Sequence, residues 1–551
     1  MQNARIVGAM PNYAKYSIRV EHVILVLLLI LAMFFRNWGI GADLPYLYDI
    51  DEPVFVDPAL RMVWSGDLNP HWFGHPGSTV IYINALIYQT IRLAGQTIGA
   101  FSDLSGFKSF YLADPTLFYL IPRIFFALVG TFSVLLVYLI ARTLYGVAPA
   151  LVASLALALS PLHIEFSQKI RSDVLASGLI LLVAYFSLRI YRTRSLNAYV
   201  WAGAFAGISV ATKYPSILAV IMIALAHFLG GGNQFRNFSK LVVAGICTVV
   251  AVFLSSPYLF LDYQTTLGNI AGEARSSHLG ANGGGFLGNV WWYIQTALIR
   301  SVGWPALCLS ALAVVVAVRN RNRKTIILIS FAFIYLCFIA ALSIRWERWA
   351  VPLLPFFAIL TAGGLNAVSV FACARWPVLS EKALVYLTGV LILLPIAAIA
   401  VQGARYRTLP DSRTAARDWI VANIPKDSRI LVESHGPQLP RGQYQLFDVA
   451  WNGNFAARDL AIHPAANANT ANITPISNVS TVDLKALSEL KIEYVVLSVI
   501  YDIYQQEAAR YPENIENYQR FLRIAHPVAG YSRDGQLQGP NIRIFRLSAT
   551  R

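Results

Sequence analysis

The stretch YLYDIDEPVF, residues 47–56, follows the first strongly apolar run and sets Asp49, Asp51 and Glu52 close together. Acids are scarce here, 29 Asp and Glu against 44 Lys and Arg, so three in one short segment call for a reason. Other charges gather in a few places: Lys169, Arg171 and Asp173 in FSQKIRSDVLAS, Lys213 beside Tyr214 in ATKYPS, Arg345, Glu347 and Arg348 in SIRWERWAVPLLP, and His75 in FGHPGS. Carboxylates beside cations at one membrane surface suit the transfer of a sugar from a lipid-linked phosphate. A carboxylate, with Asp51, Glu52 and Asp173 the candidates, takes the proton of an acceptor hydroxyl as it attacks the anomeric carbon. Lysine and arginine stabilise the negative charge growing on the departing phosphate. His75, Arg171, Lys213, Tyr214, Arg345 and Arg348 are the candidates for holding substrates. The leaving group is already a phosphate, so a strong general acid is not essential.

Each residue also has a plainer explanation. Lys169 and Arg345 could snorkel from a helix end to the interface. Asp51 could cap a helix beginning near Pro53, since Asp followed by Pro at the first helical positions is a common start. Asp173 could cap the run 174–191. Capping and chemistry are compatible, because a helix start also fixes where a carboxylate points.

The elements that must position these residues are membrane helices. The chain of 551 residues is 56% hydrophobic and 13% charged, about half the charged fraction of soluble domains. Its net charge of +15 sits in short clusters between apolar runs, as membrane topology requires, and this excludes nucleic acid as a partner. Runs long enough to cross a bilayer occur near 20–37, 119–141, 174–191, 197–212, 240–258, 291–318, 325–344, 350–371 and 382–403, with shorter ones near 149–163 and 216–230. That predicts about eleven spans. The first run ends in Phe-Phe-Arg-Asn-Trp without a small-residue cleavage site, and reads as an anchor that stays.

Charge asymmetry sets the orientation. Arg5, Lys15 and Arg19 place the N-terminus in the cytoplasm. The segment 78–99 carries Asn84, Gln89, Arg92 and Gln96 and is expected to lie on the membrane surface. If it crossed, the basic loop RNRNRK, 319–324, would fall outside, against the rule. Residues 38–118 are therefore one external loop with surface helices, and the cations named above share its side. External cations at helix ends are costly unless they meet an anion.

Residues 1–403 thus form a membrane domain, and 404–551 a small external α/β domain of ordinary size. Within it SRTAARDWIVANI reads as an amphipathic helix, and SRILVES, IEYVVLSVI and NIRIFRL as strands. Cys247, Cys308, Cys337 and Cys373 lie in apolar runs without disulfide or metal spacing. The loop HLGANGGGFLGN, 278–289, is either a mobile lid or a plain flexible linker.

In ordered recurrence these motifs resemble the membrane-embedded GT-C glycosyltransferases, specifically the protein O-mannosyltransferases and the lipid A aminoarabinose transferases of glycosyltransferase family 39. The resemblance covers roughly residues 20–405. It rests on Asp51-Glu52 opening a surface helix with Phe55, Ala59, Met62 and SGDLNP after it, on IPRIFFALVGTFSVLLVYLIARTLYG, ALALSPLHIEFSQKIRSD and GISVATKYPS, and on RWERWAVPLLPFFAIL. It implies a mostly α GT-C membrane domain with a periplasmic C-terminal domain, in the inner membrane. It implies Asp51 as the catalytic base acting with inversion, Asp173 as a second external carboxylate, and Lys213 and Arg348 on the donor phosphate. It also implies a polyprenyl-phosphate sugar donor, a lipid, glycan or protein acceptor, and neither metal nor other cofactor. One departure is His75-Pro76-Gly77, where many relatives have Lys-Pro-Pro: a titratable group replaces a fixed charge.

Two other classes compete. A transporter or flippase of glycan precursors would place ionisable groups near the bilayer midplane and often show inverted repeats; here the charges gather at one surface and no repeat is visible. A glycan-binding scaffold leaves the layer of Asp51, Asp173, Lys213 and Arg348 without a purpose.

Overall fold

The computed structural model describes residues 13–74, 77–231, 237–440, 442–448, 473–475, 479, 484–533 and 535–547. Among the described residues, seven helices are long and apolar enough to cross a membrane, or nine if each of two bent pairs is one span, and two shorter apolar helices, Leu196–Thr212 and Tyr214–Leu229, accompany them. The protein is a multi-pass membrane protein. Small residues let its helices approach closely. Gly203 and Gly207, a G-x-x-x-G pair on Leu196–Thr212, lie against the backbone of Phe238–Ser255, where an added Cβ would stand 2.2 Å from the Ala244 and Thr248 carbonyl oxygens.

The run expected as one span over 291–318 is two helices. Gly285–Val302 and Trp304–Arg319 meet at 107°, because Gly303 adopts φ +83° and Pro305 opens the next helix. Likewise Val147–Leu159 bends by 60° into Pro161–Ser167 at the Ser160-Pro161 junction.

Between the first span and the helix Thr116–Tyr145, the chain folds into helices Pro53–Ser65, Ser78–Thr97 and Leu104–Ala113. Their apolar faces, with Phe55, Leu60, Val80, Tyr88 and Phe107, form a cluster closed by Phe118 and Phe126 of Thr116–Tyr145 and by Ile170, just before Ser172–Thr193. This gives the acidic segment 49–52 a rigid floor.

After the last long helix, Glu381–Tyr406, comes a sheet of six strands. These are β1 Arg429–Val432, β2 Gln445–Asp448, β3 Ile473–Pro475, β4 Tyr494–Leu497, β5 Ala525–Tyr531 and β6 Ile542–Leu547. Their order is β3-β2-β1-β4-β6-β5, with β6 antiparallel to both β4 and β5 and the remaining pairs parallel. Alternation along the strands builds two cores. Leu431, Val495, Leu497 and Phe545 face one cluster with Tyr518 and Phe521, while Ile430, Val432, Val496 and Ile544 face another with Ala416 and Ile420 of the helix Ser412–Asn423. The helix and strands β1, β4 and β6 stand where the sequence patterns put them. IEYVVLSVI, however, divides: Ser498 ends the strand and caps the helix Val499–Gln506, accepting from the Ile500 N–H at 3.3 Å.

Candidate active site

The helix Pro53–Ser65 takes Glu52 as its N-cap residue, without a side-chain capping bond. Asp51 is therefore not a cap. Its own N–H donates to Asp49 Oδ1 at 3.1 Å, a local turn that presents neighbouring carboxylates in different directions.

Glu52 turns inward. It accepts from Arg123 Nε at 2.9 Å and Nη2 at 2.5 Å, and from the Ile170 N–H at 3.0 Å. Arg123 Nη1 also donates to the carbonyls of Ile40 and Ala42, each at 3.0 Å. With 2% of its side chain exposed against 21% for Asp51, Glu52 ties three segments together, and Asp51 is the more exposed of the two carboxylates.

Asp51 sits between two guanidinium groups. Arg171 reaches its Oδ2 through Nη1 at 2.5 Å and reaches Asp49 through Nη2 at 2.7 Å; Arg348 Nη1 pairs with the same Asp51 oxygen. Arg348 also lies 5.1 Å from the centre of the Trp346 ring, a cation–π contact that fixes its plane. Burial would raise the Asp49 carboxyl, but Arg171 and Lys169 outweigh it and hold that group below the usual carboxylate range. Asp173, in the first turn of Ser172–Thr193, pairs with Lys213 just past the end of Leu196–Thr212, both side chains being buried.

The remaining candidates frame this centre. Tyr214 donates to the Phe73 carbonyl at 2.9 Å, binding the start of the next helix to the loop between the first two long helices. Arg345 stacks 4.8 Å from the Trp292 ring centre, and its N–H donates to the Ala281 carbonyl at 2.8 Å. His75 lies outside the described residues. The glycine-rich loop is pinned: the Gly283 N–H donates to Ser343 O at 2.8 Å, and Asn289 Nδ2 to the carbonyls of Ala340 and Leu342 at 3.0 and 2.9 Å. Asn282 Nδ2 reaches Glu507 Oε2 of the C-terminal domain at 2.7 Å.

Asp51, Asp173, Arg171, Lys213 and Arg348 thus come together, with Glu52 beneath them and Arg345 and Tyr214 to the side. Arg123 was missed by reading the sequence, although an arginine inside an apolar run is itself a signal. So were Arg413 and His435 of the C-terminal domain, which carry no local pattern.

Such a layer, a partly exposed carboxylate beside the buried Arg171 and Lys213 and the partly buried Arg348, can receive a proton while a phosphate is held beside it. Residues 120–260 match the family model described as dolichyl-phosphate-mannose-protein mannosyltransferase. No curated protein sequence matches the chain. Among solved structures it is similar to ArnT from Cupriavidus metallidurans bound to undecaprenyl phosphate, with TM-score 0.53 and 15% identity over 95% of this chain and 98% of that one. The apo form of the same enzyme gives 0.51 and 14% over 98% and 99%. The oligosaccharyltransferase AglB from Archaeoglobus fulgidus, in complex with an inhibitory peptide and a dolichol-phosphate, gives 0.50 and 12% over 98% and 75%.

The chain has the ArnT-like GT-C fold. The GT-C fold expected from its motifs is borne out by this likeness, and the segment 120–260 that matches the family model contains Arg123, Arg171, Asp173 and Lys213. In the GT-C fold of this chain the small C-terminal sheet completes the architecture.

Proposed function

We propose that this protein is a membrane glycosyltransferase that moves a sugar from a polyprenyl-phosphate donor to an acceptor hydroxyl or phosphate. The observation that carries the reading is the pairing of Asp51, a partly exposed carboxylate, with both Arg171 and Arg348. An incoming donor phosphate competes with Asp51 for the arginines, and Asp51, so released, accepts the proton of the acceptor. The acceptor oxygen bonds to the anomeric carbon as the bond from that carbon to the phosphate oxygen breaks. Attack from the face opposite the phosphate gives inversion.

Arg348 and Lys213 stabilise the phosphate charge, and Asp173 holds Lys213 in place. Arg171 orients the acids, and Glu52 acts by fixing the segment through Arg123. Tyr214 and Arg345 are the further substrate-binding residues of this reading. The relatives solved with undecaprenyl phosphate and dolichol-phosphate support a lipid-phosphate donor. The side carrying these charges is external: the periplasmic face of an inner membrane, with the N-terminus cytoplasmic.

The test compares envelope glycolipids and glycoproteins by mass spectrometry between a strain lacking the protein and strains complemented with wild type or Asp51→Asn. A sugar-bearing product should be present only with wild type. Asn keeps the size of the side chain but cannot accept the proton, so product formation by Asp51→Asn at wild-type levels removes the base assignment.

A further inference from the structure

In α/β sheets, ligands bind outside the carboxyl ends of parallel strands, at the point where successive connections leave to opposite sides. In the C-terminal sheet, β1 lies between β2 and β4, so that point falls between the ends of β1 and β4. The residues there are Glu433-Ser434-His435-Gly436 and Ser498. They are laced together: the Glu433 N–H donates to Val496 O at 3.0 Å, the Ser498 N–H to Glu433 Oε2 at 2.9 Å, and Ser498 Oγ to Ser434 O at 2.5 Å.

This corner rests on the acidic segment of the membrane domain. Gln438 exchanges two hydrogen bonds with the Leu47 backbone, both at 3.3 Å. Arg413 Nη1 donates to Tyr48 O at 3.2 Å and its guanidinium lies 4.1 Å from the Tyr48 ring centre, while the Tyr48 hydroxyl meets Thr414 Oγ1 at 3.2 Å. Leu47 and Tyr48 immediately precede Asp49 and Asp51.

His435 is the residue of the corner within charge range of both acids. Arg413 faces it as well, and the Ser434 carbonyl is its nearest backbone partner. It is held at φ +66°, a conformation uncommon outside glycine that persists where the surroundings impose it. Its Nδ1 is buried and has no hydrogen bond of ordinary geometry among the described residues, which is costly unless another molecule supplies one. Burial, with Arg413 acting in the same sense, lowers its pKa below the ordinary histidine value. The ring is therefore neutral at pH 7, with one nitrogen donating and one accepting.

We propose that His435 is a substrate-binding residue supplied by the C-terminal domain, hydrogen-bonding the acceptor so that its reacting hydroxyl is presented to Asp51. The inference rests on the glycosyltransferase reading above. Donor phosphate is held by the membrane domain; the acceptor is gripped between the two domains.

The backbone conformation dictates the variants. His435→Gly removes the ring and is relaxed at φ +66°, and His435→Asn keeps a polar group near the Nδ1 position in a residue that tolerates that φ. Purified full-length protein would be assayed with undecaprenyl-phosphate-linked hexose as donor and membranes of the deletion strain as the source of acceptor. In His435→Gly, half-saturation by acceptor membranes should rise about tenfold, the loss of one hydrogen bond. Half-saturation by donor and the melting temperature should stay unchanged, and His435→Asn should restore most of the loss. Unchanged acceptor dependence, or an equal loss for donor and acceptor, overturns the proposal. Asp51→Asn in the same assay separates the two claims: its activity would defeat the parent reading, whereas its inactivity beside a normal His435→Gly defeats this one alone.

Discussion

The guanidinium of Arg348 donates directly to the carboxylate of Asp51, although 297 positions separate them in the sequence. Arg348 lies in the 3-10 turn Glu347–Leu353 that precedes the helix Leu354–Arg375, and Asp51 lies two residues before the surface helix Pro53–Ser65. A carboxylate held by two guanidinium groups is a poor base, because their charge favours its ionised form. On the proposed mechanism a donor phosphate that draws Arg348 away would strengthen it, coupling donor binding to base activation.

That coupling predicts how the phosphate clamp fails. Removing one charge-assisted hydrogen bond costs about 1.5–3 kcal/mol, or roughly ten- to a hundredfold in kcat/KM. Arg348→Met should show this directly. Lys213→Met alone would strand the buried carboxylate of Asp173, a fault of folding rather than function, so Lys213→Met is best combined with Asp173→Asn. Measured on release of polyprenyl phosphate, the clamp variants together should lose less than the product of their separate losses. Two small, independent effects would return both cations to the role of interface anchors.

Glu52 and Arg123 predict a different phenotype. Breaking a buried pair leaves an uncompensated charge and costs about 3–5 kcal/mol. Arg123→Met should therefore lower the melting temperature and the yield of folded protein sharply, and Glu52→Gln less so, because Gln can still accept from the Ile170 N–H. Normal thermal stability in Arg123→Met with activity lost would instead argue that Arg123 acts on substrate.

Much of this site was legible because membrane topology makes charge conspicuous. Arg171, Lys213 and Arg348 stood out in the sequence as cations on the side expected to be external, and all three lie against a carboxylate. The helix Ser412–Asn423 and strands β1, β4 and β6 were legible through their apolar periods. Strand β5, AHPVAGY, was not: its Pro and Gly and its exposed edge position suppress the alternating signal. The bend at Gly303 was hidden inside a continuously apolar run. His435 could not have been found from its neighbours in sequence, since its meaning comes only from the docking of one domain on another.

Orientation can be checked separately. In a background lacking the four native cysteines, Cys at 280, beside Asn282 and its bond to the C-terminal domain, should react with a membrane-impermeant thiol reagent in outer-membrane-permeabilised cells. Cys at 320, at the end of Trp304–Arg319, should react only after lysis. Labelling at 320 in intact cells would place the basic loop outside and remove the common external layer.

The last prediction concerns the corner that carries His435. Burial pushes the Glu433 carboxyl up from 4.5 to about 7, against the opposing bonds from the Tyr518 hydroxyl at 2.5 Å and the Ser498 N–H. A carboxyl whose pKa is higher folded than unfolded binds more protons in the native state between the two values. Its contribution is therefore fully present below pH 4.5, falls as pH rises from 4.5 to about 7, and is constant above. The change amounts to about 3 kcal/mol. Asp43, raised to about 6 by burial and by Asp411 beside it, titrates in the same sense, so the measurement must be a difference. Gln at 433 preserves the neutral arrangement: its amide oxygen accepts from Ser498 and its NH₂ donates to the Tyr518 oxygen. Melting curves of wild type and Glu433→Gln from pH 4.5 to 8 should converge at the acid end, with wild type falling further by pH 7 and the gap then holding steady. Parallel curves across the whole range would show that Glu433 is ionised throughout, and that the corner between β1 and β4 is wetter than its packing implies.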